Sequence, residues 1–138
     1  MSPDEILETF DLLSDWDQRY EFIAELGGQL PLMPAEEKTD ANLVRGCNTP
    51  AWLTGSLTGS PPVMDYRADA DGPLVRGLVA LLLAPFQGKP PQEVAETDAA
   101  GYIDALGLEQ HLSPTRRVGM HVFIERVKAI ARAFVEKS

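Results

Sequence analysis

Cysteine occurs once in the 138 residues, at position 47. A lone thiol cannot close an internal disulfide, so packing alone must hold the fold. Histidine occurs only at positions 111 and 121. One cysteine with His111 and His121 falls short of the four ligands of a closed zinc site. It also falls short of the several thiolates an iron–sulfur cluster takes. No carboxylate spacing completes either set, so no metal is expected. No apolar run approaches the ~18 residues of a membrane span. The opening Met1-Ser2-Pro3-Asp4-Glu5 is acidic where a signal peptide is basic. Together with the missing disulfides, this points to a reducing, cytosolic setting.

Positive charge is scarce too. Twelve Lys and Arg face 21 Asp and Glu, a net charge of −9, which argues against nucleic acid as the main partner. The cations are unevenly placed. Residues 116–138 hold six Lys/Arg against two Asp/Glu, while residues 1–115 carry six against nineteen. Two readings fit the basic end: a solvated helix whose late cations complement its dipole, or a docking surface for an acidic partner. Glycine-rich phosphate loops, Ser-His-Asp sets and paired carboxylates are all missing. Asp69 and Asp71 lack the other ligands of a calcium loop and are expected in turn or capping roles.

What is present describes one soluble domain over residues 1–138. Apolar residues make up 44% and charged residues 24%, ordinary values for a globular chain. Ser2-Pro3-Asp4-Glu5 is a capping box with proline at the first helical position; Ile6, Phe10 and Leu13 mark the inner face of the helix it opens. Ser14 or Asp15 caps a second helix with Tyr20, Ile23 and Ala24 inward, which Gly27-Gly28 is expected to end. Leu43-Val44 reads as a short strand. Residues 51–58 and 63–69 flank Gly59-Ser60-Pro61-Pro62 and read as a hairpin. From Pro73 apolar residues cover more than half a helical circumference, the pattern of a deeply packed helix on a sheet. Gly77 inside it costs about 1 kcal/mol against alanine, which signals close backbone packing. Pro85 and Gly88-Lys89-Pro90-Pro91 break the run. A short helix over 98–106 stops at Gly107. Ser113-Pro114 opens a last helix with Met120, Phe123, Val127, Ile130 and Phe134 inward. The expected class is α+β, a small antiparallel sheet of about three strands packed with helices.

Cys47 follows Arg45-Gly46 and precedes Asn48-Thr49-Pro50, between two strand signals. Glycine before it opens unusual backbone angles, and proline after it stiffens the exit. Two readings stand, an inert small hydrophobe or a reactive thiol presented on a turn. A thiol of ordinary pKa, about 8.5, is only a few per cent thiolate at neutral pH. A reactive role therefore needs activation or an electrophilic donor. A persulfide is such a donor, since a thiolate attacks its outer sulfur as in disulfide exchange. Arg116 and Arg117 sit in the first turn of the last helix, where the dipole disfavours cations. They read as a site for an anion or a partner carboxylate, or as a solvated pair.

The run Leu43-Val44-Arg45-Gly46-Cys47 with Trp52-Leu53 resembles the sulfur-acceptor loop of the SufE family, the cysteine desulfuration proteins that include CsdE. Three further stretches agree in order. They are Asp15–Tyr20 with Glu25-Leu26-Gly27, Ala68–Asp71 with Val75-Arg76-Gly77-Leu78, and Leu106-Gly107-Leu108 through His111–Arg116. The resemblance covers roughly residues 8–132. It implies a fold shared with the IscU-type scaffolds, which hold clusters with three cysteines where this chain has one. It implies an accessory protein, not itself an enzyme. It further implies that Cys47 takes persulfide sulfur from a pyridoxal-phosphate-dependent cysteine desulfurase of the SufS or CsdA type and stimulates that enzyme. On the same resemblance, sulfur is then expected to go to an iron–sulfur scaffold of the SufBCD kind. The pyridoxal phosphate belongs to the partner, so this chain is expected to hold no cofactor. Arg45, Gly46, Asn48, Thr49 and Trp52 become the supporting loop, and Arg116, Asp71 and Arg76 candidate contacts to site or partner. Asn48-Thr49 stands where the family commonly has Gln-Ser, and Val118 where it commonly has Asn. An adaptor that binds a desulfurase without carrying sulfur, and a thiol-based redox protein, remain open, as does the choice between monomer and homodimer.

Overall fold

Proline at the first helical position, a polar capping side chain just before it, or both, mark where each α-helix begins. The structure, a computed structural model, describes residues 2–44 and 50–137. Helix α1 spans Pro3–Leu12, and its capping box is complete: Ser2 Oγ accepts from the Glu5 N–H (3.2 Å) while the Ser2 N–H donates to Glu5 Oε1 (3.1 Å). Helix α2, Trp16–Gln29, is capped by Asp15, which accepts from the Gln18 N–H. Strands β1, Ala51–Thr58, and β2, Val63–Ala70, form an antiparallel hairpin. Helices α3 (Pro73–Leu83), α4 (Pro91–Glu96), α5 (Ala99–Leu106) and α6 (Pro114–Lys137) follow. The architecture is the expected α+β. Of the three anticipated strands, two form among the described residues, and the third is reduced to one bridge from Leu43 to Trp52.

Alternation along β2 splits the hairpin into two faces. Met64, Tyr66, Ala68 and Ala70 are buried, and their cross-strand partners Leu57, Gly55, Leu53 and Ala51 share that face. Helix α6 lies on it. Gly55 faces Tyr66 across the strands and gives α6 room, since a Cβ there would stand 2.7 Å from Ile130 Cγ2. The Tyr66 hydroxyl donates to the Val127 carbonyl at 2.8 Å and fixes the helix against the sheet. The opposite face carries Trp52 directly across from Asp69, and Thr54 across from Arg67.

Helix α3 packs most extensively on α2 and then on β2. Its buried residues, Gly77, Leu78, Val79, Leu81, Leu82 and Leu83, take up most of its circumference. Each fully buried aliphatic here stabilises by roughly 1.5–3 kcal/mol. Gly27 does not end α2, which continues to Gln29. It is buried instead at the crossing with α3, where a Cβ would stand 2.6 Å from the Gly77 amide nitrogen and 2.7 Å from the Pro73 carbonyl. The glycine pair reads as a stop signal in sequence, yet Gly27 is a contact in space and a Cβ on Gly28 would meet nothing within 4 Å. The breaker run Gly88–Pro91 likewise conceals a helix: Pro91 opens α4, where a missing N–H costs nothing. Asp98 caps α5, and Gly107 ends it in the left-handed conformation, φ 69°. No helix among the described residues is long and apolar enough to cross a membrane.

Candidate functional site

Two main-chain hydrogen bonds define where the cysteine-bearing segment begins and ends. The Val44 N–H donates to the Ala51 carbonyl at 2.8 Å, and the Leu53 N–H to the Asn42 carbonyl at 2.9 Å. Val44 and Ala51 are therefore side by side, so the chain departs and returns at one place. The Asp71 N–H, one residue past the end of β2, braces the same point by donating to the Pro50 carbonyl at 3.1 Å. Cys47, with Arg45, Gly46, Asn48 and Thr49, lies outside the described residues.

A cavity of about 390 Å³ opens beside Ala51. Its walls are apolar, with Val75, Leu78, Val79 and Leu82 from α3 and Met120 and Phe123 from α6. Polar side chains enter it at the start of α6, from Ser113, Thr115 and Arg116. Gly119 adjoins them and keeps that turn slim. Ser113 Oγ accepts from the Arg116 N–H at 3.3 Å and caps the helix. The two arginines of the first turn part company. Arg116 lines the cavity, and its guanidinium has no hydrogen-bond or ion-pair partner among the described residues. Arg117 turns away and donates to the Glu109 carbonyl at 3.0 Å.

The other expected site residues fall elsewhere. Trp52 is half-buried on β1, with its ring on the sheet face opposite α6. Asp71 contributes its main chain to the brace at Pro50. Arg76 serves the core: its Nε lies 2.9 Å from Asp69 Oδ1 and its Nη2 donates to the Leu30 carbonyl at 2.6 Å. Both histidines lie away from the cavity, His111 stacked on Trp16 at 3.8 Å and His121 against Glu109 at 2.7 Å. No group of three or more His, Cys, Asp or Glu among the described residues could hold a metal ion.

Asp69 overturns its expected turn or capping role. It is a strand residue, 2% exposed, and α3 begins after Gly72 with no side-chain cap. Its carboxylate accepts from the N–H groups of Met33 (3.2 Å) and Ala70 (2.8 Å) and pairs with Arg76 and with Lys38 (3.4 Å). Burial by itself raises its pKa. The two N–H donors and the two cations outweigh burial and hold the carboxyl below its ordinary value. Lys38, a residue the sequence reading passed over, also sits 5.1 Å from the centroid of the Trp52 ring. The available signal was an aspartate between two alanines at the end of an alternating strand, with Arg76 one helical turn into α3.

Comparison with known proteins agrees with this layout. A solution structure of a hypothetical protein from Thermus thermophilus superposes with a TM-score of 0.78, covering 99% of both chains at 23% identity, and shows the same fold. A SufE-like protein of Rhizobium etli is 38% identical over 133 residues, 95% of this chain and 90% of that one. Another from Rhizobium meliloti is 39% identical over 132 residues, 94% of each. The family model for SufE, described as an Fe-S metabolism associated domain, matches residues 4–131. With the cavity, the bonded pair at Val44 and Ala51, and a family match over nearly its whole length, the chain belongs to the SufE family of iron–sulfur metabolism.

Proposed function

We propose that this protein is a sulfur carrier in which Cys47 accepts sulfur from a cysteine desulfurase and delivers it to iron–sulfur cluster assembly. The observation that carries the reading is the hydrogen-bonded pair Val44–Ala51 at the lip of an apolar cavity, in a chain with a single cysteine. Arg116 is the one cation lining that cavity among the described residues. In this reading the thiolate of Cys47 attacks the outer sulfur of the donor's persulfide. A new S–S bond forms at Cys47, the donor's S–S bond breaks, and the donor cysteine leaves as a thiolate that takes up a proton. The exchange has no net oxidation or reduction. The desulfurase surrounds the meeting of the two thiols and excludes water and stray reductants, and a nearby guanidinium favours a sulfur anion over the neutral thiol. The sulfur is first extracted on the partner, where the pyridoxal phosphate resides. The downstream recipient is a cluster scaffold, and the setting is the cytoplasm.

The test is incubation of the full chain with a pyridoxal-phosphate-dependent cysteine desulfurase and cysteine, followed by intact mass measurement. Wild type gains the mass of sulfur at Cys47, and Cys47→Ser gains none and no longer stimulates turnover. Stimulation by Cys47→Ser equal to wild type sinks the carrier reading and leaves a non-covalent adaptor.

A further inference from the structure

The face of the hairpin turned away from α6 carries an ammonium group in an unusual position. Lys38 Nζ lies 3.4 Å from Asp69 Oδ2 and 5.1 Å from the Trp52 ring centroid. Trp52 and Asp69 are direct cross-strand partners. Lys38 belongs to neither strand. It closes the short 3-10 turn Ala35–Glu37, and its N–H donates to the Ala35 carbonyl at 3.1 Å. From there the chain runs to the Leu43–Trp52 bridge and to Val44. One ammonium thus ties the chain leading into the cysteine-bearing segment to Trp52, the second residue of the strand that follows it.

Asp69 keeps three other partners when Lys38 is neutralised, and Lys38 is the smallest of the influences that hold its carboxyl down. Arg76 and the N–H groups of Met33 and Ala70 already occupy its carboxylate. The Lys38 side chain is 31% exposed, so removing its charge leaves no unpaired buried group. The contribution particular to Lys38 is the contact over the indole, where a cation on an aromatic face stabilises one ring orientation. The same turn is tied to the sheet by a second pair, Glu37 with Arg67 at 2.7 Å, which does not touch Trp52.

We propose that Lys38 is a positioning residue for sulfur transfer. By holding Trp52 against Asp69 it fixes the base from which the Cys47 segment is presented. The proposal rests on the carrier reading for its consequence, and its geometry is testable without it. Neutralising Lys38 loosens the base, so a small reagent reaches Cys47 more easily while a protein donor finds it in register less often.

The experiment compares Lys38→Met, Lys38→Arg and Arg67→Ala in the full chain. Alkylation of Cys47 by iodoacetamide reads presentation directly, because it is the only thiol. The expected result for Lys38→Met is alkylation roughly two- to fivefold faster, the scale of a partly exposed cation–π contact. Sulfur acceptance from a desulfurase falls by about tenfold, as misplacement of a reacting group produces. The melting temperature stays close to wild type. Lys38→Arg restores both rates, and Arg67→Ala leaves both at the wild-type level. Wild-type alkylation in Lys38→Met overturns the proposal, as does an equal change in Arg67→Ala. If wild type itself accepts no sulfur, the carrier reading fails and the alkylation rates still decide the role of Lys38.

Discussion

Asp69 of β2 and Arg76 of α3 face each other at 2.9 Å in the interior, with side chains 3% and 19% exposed. The pair joins the sheet to the first turns of the helix that forms one wall of the cavity. Removing one member leaves the other charged and largely dry. Asp69→Ala is expected to cost about 3–5 kcal/mol, read by urea denaturation. Asp69→Asn, which keeps the shape, is expected to lose less. The carboxyl titrates below its ordinary value when folded. Its stabilisation is therefore complete above the unfolded pKa of about 3.9. It is lost as pH falls through the lower folded value. Asp69→Asn should flatten that part of the acid limb; an unchanged acid limb would show that Asp69 does not contribute to it.

Gly77 and Gly28 make a matched pair of tests for backbone packing. A Cβ on Gly77 would collide with the main chain of Ile23, whereas a Cβ on Gly28 meets nothing within 4 Å. Gly77→Ala is expected to destabilise by about 3 kcal/mol or more, because the clash is with backbone and not with a side chain that can turn. Gly28→Ala, on the exposed side of the same helix pair, is expected to stabilise by up to about 1 kcal/mol. Thermal melts of the two variants decide it, and a stable Gly77→Ala protein would contradict the close crossing of α2 and α3.

Arg116 and Arg117 are neighbours with separate surroundings. Arg116→Met removes the cation that lines the cavity and is expected to slow sulfur acceptance by about tenfold, the loss of a charge-assisted contact, with the melting temperature nearly unchanged. Arg117→Met breaks the tie to the Glu109 carbonyl and is expected to lower the melting temperature while sulfur acceptance persists. The reverse assignment, with transfer lost in Arg117→Met and kept in Arg116→Met, would remove Arg116 from the site.

Local chemistry was legible wherever a residue's role is settled within a turn or two. The capping box at Ser2–Glu5, the hairpin around Gly59–Pro62, the Asp98 and Gly107 ends of α5 and the start of α6 all form where the sequence places them. The inward positions of α6 hold at Met120, Phe123 and Val127, and loosen to half-buried at Ile130 and Phe134. Readings failed where one residue type serves two purposes. Gly27-Gly28 has the form of a helix stop, and Gly27 is instead a contact within α2. Pro90-Pro91 has the form of a breaker, and Pro91 starts α4. Leu43-Val44 has the residues of a strand, and among the described residues its pairing is one bridge, Leu43 to Trp52.

The amino-acid sequence by itself determined five of the six α-helices and most of their starting caps, together with the hairpin and the single thiol, because capping, turn chemistry and side-chain alternation act over a few neighbours. Only the tertiary structure decided that Asp69 is a buried ion and that Lys38 reaches Trp52. It also decided that Arg116, and not Arg117, lines the cavity beside Ala51. Each of those depends on distances between elements far apart in the chain, and no local pattern carries that information.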